Sequence, residues 1–151
     1  MAFVVKDTLD VIVSELMKTN IFSTVAVGEP KAPPTDAKMT AHVWMNSINE
    51  VAGTLDKTIE VYLMTVRVMI PMLEEPVGTI ESDLAEAVSK ADEALFANFS
   101  LDNKIRNIDI LGQYGANYRV DWGYVEISQK IFRAADITLP MIVDDSAAMV
   151  A

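Results

Sequence analysis

Few residues in this chain could do chemistry. His42 is the sole histidine, and there is no cysteine. A lone histidine can act as a general base. It needs a nucleophile beside it, and no serine stands in a Gly-x-Ser-x-Gly context. His42 falls on an apolar strand next to Trp44, where a satisfied structural histidine is the simpler reading. Asp144-Asp145 and Glu74-Glu75 could hold a hard cation loosely. Two adjacent carboxylates fall short of the roughly six to eight oxygen ligands that calcium takes, so solvated charge is expected. Gly112-Gln113-Tyr114-Gly115 lacks the Gly-Lys-Ser/Thr ending of a phosphate loop and reads as a turn. No catalytic residue, metal site or cofactor is expected.

Cations and aromatics gather in one region: Arg106, Tyr114, Tyr118, Arg119, Trp122 and Arg133. The formal net charge is −10. Nucleic-acid affinity rests on clustered Lys and Arg, so nucleic-acid binding is not the expected task. An acidic surface would instead let DNA slide past without sticking. For a protein interface, Arg, Tyr and Trp are the usual anchors. Alternatively, Trp122 is core and the arginines pair with Asp109 and Asp121. Both readings stay open at this point.

The elements that must position these residues are organised around Thr58–Ile70, TIEVYLMTVRVMI. It is rich in β-branched and aromatic residues and reads as a central strand. Tyr62, Met64, Val66, Val68 and Ile70 line one face, with Glu60 at its head. Ile59, Val61, Leu63, Thr65, Arg67 and Met69 line the other.

Upstream, Asp7 is the expected N-cap of a helix over Thr8–Lys18, with Leu9, Ile12, Val13, Leu16 and Met17 inward and Asn20 as its stop. Ile21–Val27 is a short strand closed by Gly28. Glu29–Lys38, with three prolines, is an extended surface loop long enough for a contact role. Thr40–Val51 is a strand with His42, Trp44 and Ile48 on one face and Val43, Met45 and Val51 on the other. It forms an antiparallel hairpin with the central strand.

Downstream, Thr79 is the expected N-cap of a helix over Ile80–Phe99, with Glu81 and Asp83 in its first turn. Its buried stripe is Ile80, Leu84, Ala87, Val88, Ala91, Leu95 and Phe99. Ser100–Asn117 is irregular. Strands Tyr118–Ile127 and Lys130–Val143 close the chain around a two-residue turn, Ser128-Gln129. A frayed tail is expected from Asp144.

These elements predict one α+β domain spanning 1–151, with an ordered core of about 6–145. It is a two-layer sandwich of a mixed, mostly antiparallel sheet of about five strands with two helices on one face. The length allows a sizeable core, and 51% apolar with 23% charged residues marks a globular chain. No apolar run is long enough to span a bilayer. MAFVVKD reads as no signal peptide. The absence of cysteine suits a reducing compartment. Two helices cover one sheet face, so the other, with Ile59, Val61, Leu63 and Met69, is expected to be exposed in a monomer and covered by another copy.

The order of these elements resembles the tail terminator, or tail-completion, proteins of long-tailed bacteriophages. The resemblance runs from about Lys6 to Asp145. It rests on KDTLDVIVSELMKTNIFSTVAVGEP, the hairpin, IESDLAEAVSKADEALF, NIDILGQYG and the closing WGYVEISQKIFRAADITLPMIVDD. Within that ending, R-x-x-x-I-x-L-P runs from Arg133 to Pro140. It implies a structural virion protein without catalytic residues, assembled in the host cytoplasm and located in the tail or neck. It implies a hexameric ring that caps the tail tube, stops its polymerisation and presents a surface to the head–tail connector protein. Its partners would be copies of itself, the tail tube protein and the connector, with DNA passing through the lumen unbound and no membrane.

On this reading Val61, Leu63, Arg67, Arg119 and Arg133 lie between subunits. Pro30, Pro33, Pro34, Glu74, Glu75, Asp102, Arg106 and Tyr114 contact tube or connector. The alternatives are another head–tail connector or neck protein, and a small ligand-binding domain or enzyme.

Overall fold

The computed structural model describes residues 4–31, 39–54, 57–72 and 77–145. The elements are α1 (Val5–Lys18), β1 (Thr24–Val27), β2 (Thr40–Thr54), β3 (Lys57–Pro71), α2 (Val77–Ala97), β4 (Asn107–Ile108), β5 (Arg119–Ile127) and β6 (Lys130–Asp145). The fold is α+β: two helices on a curled, mixed sheet of six strands. The strands run β1-β2-β3-β6, and β6 carries both β4 and β5 along its far side. Among the described residues only β1–β2 is parallel. The sixth strand is β4, two residues inside the stretch expected to be irregular.

The central strand is where its composition put it. On its helix-facing side Met64, Val66 and Val68 are fully buried. They pack with Ile12 and Leu16 of α1 and with Ile80, Leu84, Ala87, Ala91 and Leu95 of α2. The alanines let α2 come close to the sheet.

Helix boundaries differ from expectation. α1 starts at Val5, with Val4 as an N-cap that offers no side chain. The Val4 carbonyl accepts both the amide and the hydroxyl of Thr8, so the helix begins a turn early. Asp7 then sits in the first turn, facing the positive end of the dipole. Met17 is 59% exposed rather than core. α2 starts at Val77, so Glu81 and Asp83 lie past its first turn, and Thr79 is not its cap. It ends at Ala97, which leaves Phe99 outside the helix and 55% exposed.

A β-bulge at Asn46 interrupts β2: Met45 stands opposite Met64, whereas Ser47 stands opposite Leu63. One extra residue moves every later side chain to the other face. Ile48 therefore joins the side of Val43 and Met45, and Val51 the side of His42 and Trp44. Both assignments reverse the unbroken alternation read from sequence.

The second sheet face is not left open. Met69 is fully buried, and Val61 is 1% exposed. Where the β5–β6 hairpin curls, Met69 packs with Ile127, Phe132 and Ala134 in a second small core. The segment 115–119 borders Leu63, which is half-buried. A single curled chain thus covers most of the face expected to need a neighbour.

β6 continues through Asp144 and Asp145, so these are strand rather than tail. Residues 146–151 lie outside the described residues. Pro140 sits inside β6 at the gap between β5, which ends at Thr138, and β4, which starts at Met141. Its carbonyl accepts the Asp109 amide on that side. A strand residue points its N and its C=O the same way, so the missing N–H costs no bond to β3.

The Ser128-Gln129 turn has φ of +49° and +70°. Both residues are left-handed, as a type I′ hairpin turn requires. Neither side chain favours that region, which costs non-glycine residues roughly 1–2 kcal/mol each, less for Asn. Ser128→Asn with Gln129→Gly should raise unfolding stability by about 1 kcal/mol. Urea unfolding checks this. An unchanged or lower midpoint would rule the turn assignment out.

Candidate interaction surface

The second face carries a polar row set by strand register. His42 stands opposite Arg67, Arg67 opposite Asp136, and Asp136 opposite Asp121. Arg67 donates Nε to Asp136 Oδ1 at 2.8 Å and Nη2 to Oδ2 at 2.9 Å. Its guanidinium also lies 5.1 Å from the Trp44 ring centre. The hydrogen bond to Asp136 pushes the Arg67 pKa up. A bidentate pair under an aromatic ring fixes the planar Arg fork in place. Arg67, expected between subunits, is thus engaged inside the protomer.

His42 is buried beside this pair, and its Nε2 has no hydrogen-bond partner among the described residues. Burial, and secondly the positive charge of Arg67, hold its pKa below the usual value. This environment favours the neutral form, and the histidine is packed but not satisfied at Nε2 among the described residues.

Arg133 builds a second cluster at the outer hairpin. It donates to Glu81 Oε1 at 2.6 Å and to the Gly123 carbonyl at 3.0 Å. Its guanidinium lies 4.6 Å from the Tyr124 ring centre and 5.8 Å from that of Trp122. Trp122 and Tyr124 are nevertheless 43% and 64% exposed. Trp122 is therefore not core, and Arg133 takes Glu81 as its partner. Arg119 pairs with Asp121 at 2.7 Å on an exposed surface. Arg119 and Arg133 both border β5. Val61 and Leu63 are elsewhere, on β3.

Asp109 does not meet an arginine. Its buried carboxylate accepts the amides of Gln113 and Tyr114 at 2.8 and 3.0 Å. Gly112 and Gly115 turn this loop with φ of +74° and +99°. A side chain at Gly112 would collide with Asn117 Oδ1, 1.8 Å from the Cβ position. The loop is tied to α2 by Tyr118, which donates to Asp92 and stands edge-on to Phe96. Burial raises the pKa of both Tyr118 and Asp92. The same loop holds Leu111 at 90% exposure, beside Ile110 at 40%. These aliphatics carry no sequence signal, since an irregular stretch has no periodicity to mark a face.

Of the expected tube or connector contacts, Asp102 and Arg106 are exposed, and Pro30 and Tyr114 are half-buried. Pro33, Pro34, Glu74 and Glu75 lie outside the described residues. Among the described residues no group of three His, Asp or Glu could hold a metal ion. No helix there is long and apolar enough to cross a membrane.

The His42 environment makes stability pH-dependent. The unfolded histidine titrates near 6.5 and the folded one lower, so the unfolded chain takes up the proton first as pH falls. Stability is complete above 6.5 and declines as pH drops through that value towards the folded pKa. His42→Leu should remove this part of the decline in urea midpoints. Identical pH profiles for variant and parent would refute it.

A comparison with protein-family models finds no match to this chain, and a comparison with curated proteins finds none either.

Proposed function

We propose that the chain is a structural virion protein that forms a ring, caps the tube of a long phage tail and presents a surface for head–tail joining. The observation that carries this reading is the outer side of the sheet at β5. There Trp122, Tyr124 and Arg133, residue types that anchor protein contacts, stand beside a strand that pairs only with β6 among the described residues. An open strand edge invites another chain. The order helix, strand, hairpin, helix, short strand, hairpin supports the tail-terminator resemblance. A net charge of −10 suits a lumen that DNA crosses without binding.

On this reading the ring is a hexamer, the protein is not an enzyme, and it acts in the tail or neck of the virion. The test is to add purified protein to growing tail tubes and image them. Tubes should stop lengthening and carry a ring at one end. Unchanged tube growth, with binding to portal or connector complexes instead, would assign the chain to the neck. Binding to neither would refute the virion reading.

A further inference from the structure

We infer that the outer edge of β5 in one copy pairs antiparallel with the outer edge of β1 in the next, edges that pair with no other strand among the described residues. The inference rests on the ring reading and names the contact that closes it. β1 and β5 terminate opposite ends of the sheet. Their pairing registers carry the same levels across all the strands between them. Val27 stands opposite Val43, Val43 opposite Val66, Val66 opposite Ile137, and Ile137 opposite Val120. One level along, the row is Val25, Ala41, Val68, Ala135 and Trp122. The two edges therefore stand at the same levels of the hydrogen-bonded ladder.

That placement fits ring closure. Joining β5 of one copy to β1 of its neighbour at these same levels adds no slip along the strands. A head-to-tail contact without rise can close into a ring, whereas one with rise grows a filament. Strand direction agrees. β1 runs with β2, and three antiparallel pairings separate β2 from β5. β5 thus runs opposite to β1 in the ladder, and continuing the sheet into a like-oriented neighbour keeps that sense. The joined pair is antiparallel, the more frequent and slightly more stable arrangement.

The backbone chemistry fits. In a hairpin closed by a two-residue turn, the flanking residues Ile127 and Lys130 exchange hydrogen bonds. Alternation then points the N–H and C=O of Val120, Trp122, Tyr124 and Glu126 away from β6. β5, RVDWGYVEI, contains none of the lysine or proline that guards natural edges. Across the seam Val27, 53% exposed, would meet Val120, and Trp122 would meet Val25 on the same face.

The chain has no cysteine, which makes cross-linking between copies clean. In Val27→Cys/Val120→Cys, facing strand residues fall within disulfide reach. Oxidation should give a ladder of covalent multimers that stops at the ring size. Val25→Cys/Trp122→Cys tests the next level. Hydrogen exchange of the unsubstituted protein gives a second reading independent of any variant. In the assembled form the outward amides of Val120 and Trp122 should exchange roughly a hundredfold more slowly than in dilute monomer. Rings on tube ends with no cross-link at either level and fast outward amides would overturn the edge pairing and leave the ring reading standing. Val120→Cys alone cross-linking to itself would replace it with a two-fold β5–β5 contact. A chain that never forms rings, alone or on tubes, would overturn both.

Discussion

The structure depends on β3 being paired along both sides. It faces β2 from Lys57 to Met69 and β6 from Thr58 to Pro71. A strand paired on both sides has no free backbone, so its stability turns on what covers its two faces. The helices cover one with an unbroken apolar set, Met64, Val66, Val68 and Ile70. Burying a side chain of that size is worth roughly 1.5–3 kcal/mol, and this row holds α1 and α2 to the sheet.

The other face is solved differently. Its middle carries Arg67, which a sealed apolar core would not accept. The pair with Asp136 and the stacking on Trp44 satisfy the guanidinium while leaving Asp136 partly wet. Burying a charge without such partners would cost several kcal/mol. On either side of this band the chain covers itself: the β5–β6 hairpin curls to bury Met69, and the 115–119 segment flanks Leu63. The surface available to other molecules consequently shifts from the face of the sheet to its ends.

Much of this was legible in the residues. The run Thr58–Ile70 announced a central strand by its alternation. Ile80, Leu84, Ala87, Ala91 and Leu95 announced a helix by its period. The failures have definite physical causes. The bulge at Asn46 leaves no mark in a local hydrophobicity pattern, so Ile48 and Val51 were assigned to the wrong faces. The curled hairpin packs Met69 against Phe132, a residue distant in sequence that no local pattern reveals. Helix ends moved because backbone bonds, such as that from Thr8 to the Val4 carbonyl, do not need the side-chain caps Asp7 and Thr79 offered. Of the residues expected between subunits, Arg119 and Arg133 lie at β5, whose outer edge is unpaired among the described residues, whereas Val61 and Arg67 serve the protomer's own interior.

The free edges, the exposed aromatics beside Arg133 and the level placement of β1 and β5 all concern association. The most direct measurement is therefore the mass of the unmodified protein in solution, by native mass spectrometry over a range of concentrations. The account predicts one closed assembly, a hexamer, in equilibrium with protomer and without larger open polymers. A 16.6 kDa species alone at every concentration, even with tail tubes present, would contradict it.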